Sequence, residues 1–223
     1  MKNTTFNKNA SRQGFTLVEM IGVLAVVAIL SAMLIPKIFE TINTARVSGA
    51  ASGIQTVKTA VANHYSKYGS FVDSTGTLFD PATDLTANLD ADNFDTSVLL
   101  AEGMLERRFA VKIGDQLATN RVRIRTVDVA ADPAVDITSA SASYDLDGVG
   151  TVTTSDGALV CECIITGCSA ADARDIKQNI DGSDITGLLV LPDIGAEATL
   201  GRVKYPAIPA GATGDVLIYV THR

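Results

Sequence analysis

The first third of the chain contains a long apolar run followed by an amphipathic stretch. The apolar run extends over the 22 residues 15–36, and Glu19 is its only charged residue. A helix rises about 1.5 Å per residue, so this run would be roughly 33 Å long, enough to cross the hydrocarbon core of a bilayer. The pattern therefore predicts a transmembrane helix.

After this run, apolar and small residues recur at three- and four-residue steps, with polar side chains between them. This spacing is typical of a helix with one buried face. Gly69 and Ser70 then provide an expected C-terminal end. We therefore expect the helix to continue through residues 37–69 and to bury one stripe against a sheet. The stripe consists of Ile38, Ile42, Ala45, Gly49, Gly53, Ile54, Val57, Ala60, Val61, Tyr65 and Tyr68.

The remaining residues alternate between polar stretches and short apolar segments. Residues 72–96 are rich in Asp, Thr and Asn and predict a loop, and residues 97–108 predict a short helix. A second helix is expected between the capping pair Ser169 and Asp172 and the terminating Gly182, with Ile176 and Ile180 on its buried edge.

Strands are predicted where the apolar period changes to two. In residues 121–129, Val122, Ile124, Val127 and Val129 alternate with Arg121, Arg123, Arg125 and Asp128. Further strands are predicted at 141–146, 158–165, 188–191, 200–205 and 216–221. Strands at such spacing favour an antiparallel sheet. The predicted fold class is α+β, in which a long N-terminal stem helix packs on a small sheet head.

Charge adds an orientation to this picture. The chain has 18 Lys and Arg against 25 Asp and Glu, a net charge of −7, and the leader before the apolar run carries Lys2, Lys8 and Arg12 with no acid. Positive residues beside a span tend to stay cytoplasmic, so the C-terminal head is expected outside. Without residues 1–14 the charge falls to −10, from 15 bases and 25 acids. Such acidity argues against nucleic-acid binding.

Glu19 requires its own explanation, because a carboxylate in hydrocarbon is costly and is expected to have a cationic partner. A secretory signal peptide has an apolar region of only about 7–15 residues. A plain membrane anchor would have a suitable length, but it would not explain the presence of Glu19. Cleavage between Gly14 and Phe15 would create an α-amino group, protonated at neutral pH, four residues from Glu19.

The residues Gly14, Phe15, Thr16, Leu17, Val18 and Glu19 resemble the prepilin cleavage and methylation motif of type IV pilins and type II secretion pseudopilins. In that family a membrane peptidase cuts after the glycine and methylates the new N-terminal residue, here Phe15. The resemblance implies that Glu19 neutralises the terminal amine of a neighbouring subunit in a filament. Pro36 matches a position where many of these helices lose regular structure in the fibre. The resemblance is specific over residues 12–36, looser to Phe71, and fades beyond.

The resemblance implies four segments: a leader peptide at 1–14, the transmembrane half of the stem helix at 15–36, its amphipathic half at 37–69 and the head at 70–223. It also implies a single-pass protein of the bacterial inner membrane, with the head outside, that enters an extracytoplasmic filament. The expected partners are further copies of the chain, related pilins, the prepilin peptidase, the inner-membrane assembly platform and membrane lipid.

Three functions are compared: a structural filament subunit, a membrane-tethered enzyme, and a binding module for a surface or a secreted cargo. Enzymes bring acids, bases or nucleophiles together. The sequence has no glycine-rich phosphate loop, no paired histidines and no serine elbow, so no enzyme activity is expected. Binding is compatible with a filament role. Pilus and secretion pseudopilus both remain open, although Glu19 favours a subunit of the shaft over one of the tip.

Cys161, Cys163 and Cys168 lie within eight residues. In an oxidising compartment one disulfide is plausible, between Cys168 and either Cys161 or Cys163 across a tight turn. The alternative is that all three are buried strand residues. A zinc site needs about four ligands, and the two histidines, His64 and His222, are remote in sequence. No local signature of a nucleophilic cysteine surrounds any of the three cysteines.

A calcium hypothesis concerns the loop that contains Asp145, Leu146, Asp147 and Gly148. Alternating Asp before Gly resembles the opening of a calcium loop, but the distal bidentate Glu is missing. Some pseudopilin heads hold calcium, whereas the simpler interpretation is a solvated hairpin turn. No other cofactor is expected.

Overall fold

The apolar run and the amphipathic stretch form one helix, α1, which spans Leu17–Tyr68 and confirms the predicted long N-terminal helix. The chain divides into two compact units, Met1–Asn43 and Thr44–Arg223, so the division falls inside the predicted amphipathic half of α1. The computed structural model describes residues 14–81, 88–114, 120–127, 144, 146, 157–182, 198 and 200–223.

In the first unit, the apolar side chains of α1 are exposed, as expected for a segment surrounded by lipid or by other helices. By length and composition, α1 can cross a membrane. Pro36 lies inside α1, which is continuous there. Proline has no N–H, so one helical hydrogen bond is missing at this turn. The loss of regular structure at Pro36 concerns the assembled fibre and stays a prediction.

In the second unit, one face of α1 enters the core. Ile54, Val57 and Val61 of the predicted stripe are buried, whereas Tyr65 and Tyr68 at its end are 38% and 41% exposed. The prediction was also wrong for the start of the stripe, where Val47 and Ala50 are buried and the predicted residues are exposed: Ile38, Ile42, Ala45 and Gly49. The helix ends where predicted: Gly69 has a φ of +70° and its N–H donates to the carbonyl of Tyr65 at 2.7 Å. This left-handed conformation suits glycine and closes the last turn.

The segment after α1 differs from the prediction of a loop over 72–96 and a helix over 97–108. Helix α2 spans Leu89–Asp92, and a π-helical turn spans Asp95–Leu99. Helix formation starts early because the side chain of Asn88 accepts hydrogen bonds from the amides of the next turn and so acts as an N-cap. After Leu99 the chain turns, and the amides of Met104 and Leu105 both donate to the Leu99 carbonyl.

Among the described residues, four strands form an antiparallel sheet in the order β1-β2-β4-β3. They confirm four of the predicted strands and their antiparallel pairing. The predicted strands at 141–146 and 188–191 lie outside the described residues, except for Tyr144 and Leu146. The strands are β1 Arg121–Thr126, β2 Leu159–Cys168, β3 Val203–Lys204 and β4 Gly214–His222.

Helix α3 spans Ala170–Asp181 between the predicted cap, Ser169, and the predicted stop, Gly182. The Asp172 amide donates to Ser169 Oγ at 3.2 Å. Ile176 is buried in the core and Ile180 is half-buried against it. The fold is therefore a long helix combined with a small antiparallel sheet, which is the predicted α+β class and a pilin-like arrangement.

Candidate processing and assembly site

The peptide bond between Gly14 and Phe15 lies in a short non-helical segment just before α1 begins. Gly14, Phe15 and Thr16 are not helical, and the Phe15 side chain is 80% exposed. A Cβ atom placed on Gly14 would meet no other atom within 4 Å. Among the described residues, nothing covers the predicted cleavage bond, and a protease needs such access to its substrate.

Thr16 and Glu19 bind each other at the start of α1. Glu19 Oε2 accepts hydrogen bonds from the Thr16 amide at 2.8 Å and from Thr16 Oγ1 at 2.7 Å. In return, the Glu19 amide donates to Thr16 Oγ1 at 3.3 Å. This reciprocal pair is a capping box, in which Thr16 is the N-cap. The sequence reasoning assigned Glu19 to a neighbour's amine and missed this local role, although the Thr-x-x-Glu spacing is its signal.

No basic side chain forms an ion pair with Glu19 in the part of the chain that the structure describes. An open apolar groove of about 490 Å³ runs beside it along α1, lined by Phe15, Met20, Val23 and Val26 among others. The site thus combines a carboxylate held by its own helix with an exposed apolar surface along that helix.

The structure corrects the expected disulfide. Cys161, Cys163 and Cys168 are all free, and all lie on the single strand β2. The tight turn that was to join Cys168 to either of the others is absent. A strand advances about 3.3 Å per residue, so Cys168 lies well beyond the Cα separation of about 7 Å that a disulfide can bridge.

The alternative interpretation, that all three cysteines are buried strand residues, is confirmed. Cys161 and Cys163 point with Ile165 into the core that α1 covers, and none of the three thiols is exposed. Burial raises the pKa of all three thiols, that of Cys168 to about 12. Their thiolates are therefore disfavoured, and the sequence prediction that they are not nucleophiles has a physical reason.

The calcium candidates Asp145 and Asp147 lie outside the described residues, and Leu146 between them is half-buried. Within the described ranges, no group of three or more His, Cys, Asp or Glu side chains could hold a metal ion. The calcium hypothesis stays a prediction.

The opposite face of the sheet carries a buried charge cluster that the sequence reasoning did not foresee. Glu162 is fully buried on β2, where its Oε1 accepts hydrogen bonds from Arg123 Nε at 2.9 Å and Arg125 Nε at 3.0 Å. Its Oε2 accepts one from the Tyr144 hydroxyl at 2.7 Å. Burial would raise the pKa of Glu162, but the two guanidinium groups outweigh it and lower the pKa to about 2.

A comparison with family models matches residues 9–35 to the prokaryotic N-terminal methylation motif. This motif is the signature of type IV pilins and pseudopilins, so the chain carries the signature that its first residues resemble. The match covers Gly14, Phe15, Thr16 and Glu19, the residues of the site described above. No curated protein and no solved structure matches the chain.

Proposed function

We propose that this protein is a structural subunit of a type IV pilus-like or type II secretion pseudopilus filament. A prepilin peptidase cuts between Gly14 and Phe15 and methylates Phe15. Before assembly the subunit resides in the bacterial inner membrane with its head outside. It then joins the filament through its N-terminal helix. In the filament, Glu19 pairs with the N-terminal amine of a neighbouring copy or a related pilin.

The observation that carries this proposal is the position of Glu19. It lies on an exposed apolar helix, and no described residue pairs its charge with a base. A carboxylate is costly in such surroundings unless a cation reaches it. Cleavage of the bond between Gly14 and Phe15 would create an α-amino group as that cation, and the match of residues 9–35 to the methylation motif supports a cut at this position.

The first test is the mass and N-terminal sequence of the protein isolated from the membranes of a bacterium that expresses it. We expect a chain that begins with N-methylphenylalanine at Phe15. Gly14→Leu should leave the uncut precursor in the membrane, because the bulky side chain obstructs cleavage, whereas Gly14→Ala should be cut at least partly. A protein of mature mass from Gly14→Leu would contradict processing at this bond.

The second test separates processing from assembly. Glu19→Ala should be inserted, cut and methylated like the wild type, but its filament yield should fall severely because the buried amine loses its counter-ion. Filament yield is measured by immunoblotting of the sheared fraction and by electron microscopy. Normal filaments of Glu19→Ala would contradict the ion pair. A wild-type chain that is processed but never enters filaments would favour the alternative of a membrane-anchored module that binds a surface or a cargo.

A further inference from the structure

A cavity of about 270 Å³ lies in the second unit, between the outer turns of α1 and the end of β4. Its walls are largely apolar: Val61 and Ala62 come from α1, and the rings of Tyr65 and Phe71 meet edge to face with their centres 5.8 Å apart. The polar groups at its edge include Lys58 and His222. Its size is near the lower limit of small-molecule sites, which suits a ligand built on one ring.

The two charged side chains that the described residues place at this cavity, Lys58 and Arg223, are both cationic. Lys58 lines it and has no salt bridge or hydrogen bond among the described residues. The guanidinium of Arg223 lies over the Tyr65 ring, 5.8 Å from its centre, and donates to Ser70 Oγ. The described residues that line the cavity include no carboxylate.

The chain segments that form the cavity contain basic residues and no acidic ones. From Thr44 to Val72, α1 and the residues after it contain three bases and no acid, and residues 216–223 contain no acid either. The whole chain, by contrast, has seven more acids than bases. Lys67, one of these three bases, is paired with Glu102 at 3.8 Å. The cationic character of the cavity therefore rests on Lys58 and Arg223, which attract small anions over neutral molecules.

From this arrangement we infer that the cavity binds a small aromatic carboxylate. The flat ring lies against the exposed Ala62 and Tyr65, above the buried Val61 and Phe71, and the carboxylate faces the ammonium group of Lys58. A charge-assisted hydrogen bond to this lysine gives the preference for an acid over its amide. The inference is independent of the filament role, because every residue that carries it belongs to the second unit.

The experiment uses the full chain in an uncharged detergent and sodium benzoate as the probe, with binding followed by saturation-transfer NMR. We expect saturable binding in the millimolar range and at least tenfold weaker binding of benzamide. Lys58→Gln should weaken benzoate binding about tenfold, because a charge-assisted hydrogen bond is lost. The matched control is Lys112→Gln, another exposed lysine without a described ion pair, which should bind benzoate normally.

A second variant tests the cavity without changing its charge. Ala62→Leu fills the space from an exposed position of α1 and should abolish benzoate binding while the helical circular dichroism stays unchanged. Equal binding of benzoate and benzamide would overturn the inference, as would equal effects of Lys58→Gln and Lys112→Gln. Benzoate binding that weakens as the protein concentration rises would also overturn it, because the cavity would then be occupied by a second copy of the chain.

Discussion

Thr16 donates two hydrogen bonds to the same oxygen of Glu19, from its amide at 2.8 Å and from its hydroxyl at 2.7 Å. Both donors engage Oε2, and no described residue donates to Oε1. The carboxylate is thus half satisfied by its own helix and keeps one oxygen for an external cation. Because Thr16 directly follows Phe15, the proposed cleavage would place the new amine one residue from this pair.

Thr16→Val should reduce filament assembly about fivefold. The substitution keeps the side-chain volume but removes the hydroxyl, which both donates to Glu19 and accepts from its amide. Loss of an N-cap costs about 1 kcal/mol, which corresponds to a factor of about five in a population. The measurement is the ratio of sheared filament to membrane-bound subunit by immunoblotting.

Thr16→Ser is the matched control for this change, since serine keeps the hydroxyl and should keep most of the assembly. Cleavage of both variants should be normal, as judged by their masses. If Thr16→Val and Thr16→Ser assembled equally well, the hydroxyl would have no part in presenting Glu19.

The charge of Glu162 should stabilise the head in a pH-dependent way. Two arginines hold the pKa of this buried carboxyl at about 2 in the folded state, below its ordinary value near 4.5. A lowered folded-state pKa means that the stabilisation is fully present above the ordinary value and is lost as the pH falls towards 2. A shift of this size corresponds to roughly 3 kcal/mol.

Urea unfolding of the detergent-solubilised chain, followed by circular dichroism between pH 7 and pH 2.5, measures this effect. Glu162→Gln should lose about 3–5 kcal/mol at pH 7, because it removes the buried carboxylate with which Arg123 and Arg125 form ion pairs. Its stability should also change less than that of the wild type below pH 4.5. Glu106→Gln, at an exposed acid, should stay within about 0.5 kcal/mol of the wild type at every pH. Parallel pH profiles for Glu162→Gln and the wild type would contradict the assignment.

The elements that the sequence predicted well are those with a local physical signal. The apolar run and the amphipathic stripe defined α1, and Gly69 placed its end within one residue. Ser169 and Gly182 delimited α3 because an N-cap and a C-terminal glycine act within a single turn. The Thr16–Glu19 capping box is equally local, and its Thr-x-x-Glu spacing is the sequence signal for it.

The features that the sequence did not reveal depend on contacts between distant segments. Alternation marked Arg125 as a polar residue of a half-buried strand, yet it is buried because Glu162, 37 residues later, neutralises it. The spacing of the cysteines suggested a turn, whereas β2 continues through Cys168 and pairs there with Gly214. Neither pairing can be derived from a single-sequence pattern.

The three cysteines should be unreactive in the folded protein. Burial raises the pKa of each thiol, so the reactive thiolate does not form readily. Burial also keeps a reagent from reaching the sulfur atoms. Iodoacetamide at pH 8 should leave the native mass unchanged and add three groups after denaturation in guanidinium chloride. The denatured sample should give the same result without a reductant, because no disulfide is present. If the denatured protein took up only one iodoacetamide group without a reductant, two of the cysteines would form a disulfide, which would contradict the structure.

Asp95 should be one of the residues on which the stability of the head depends most. It is buried in the π-helical turn, where Oδ2 accepts from the Phe109 amide at 2.9 Å and Oδ1 from the Val122 amide at 3.1 Å. One side chain thus joins the turn, the segment before β1 and β1 itself. Asp95→Ala leaves two buried amides without acceptors, at about 1–3 kcal/mol each, so we expect a loss of roughly 2–6 kcal/mol in urea unfolding.

Two variants separate this role from a general effect of charge. Asp95→Asn keeps one acceptor oxygen but presents an NH₂ group to the other amide, so it should lie between the wild type and Asp95→Ala. Asp92→Ala removes a nearby acid that forms a partly exposed ion pair with Arg121, and such pairs contribute at most about 1 kcal/mol. Equal losses from Asp92→Ala and Asp95→Ala would mean that the two amides find other acceptors, and the bridge made by Asp95 would then not hold these segments together.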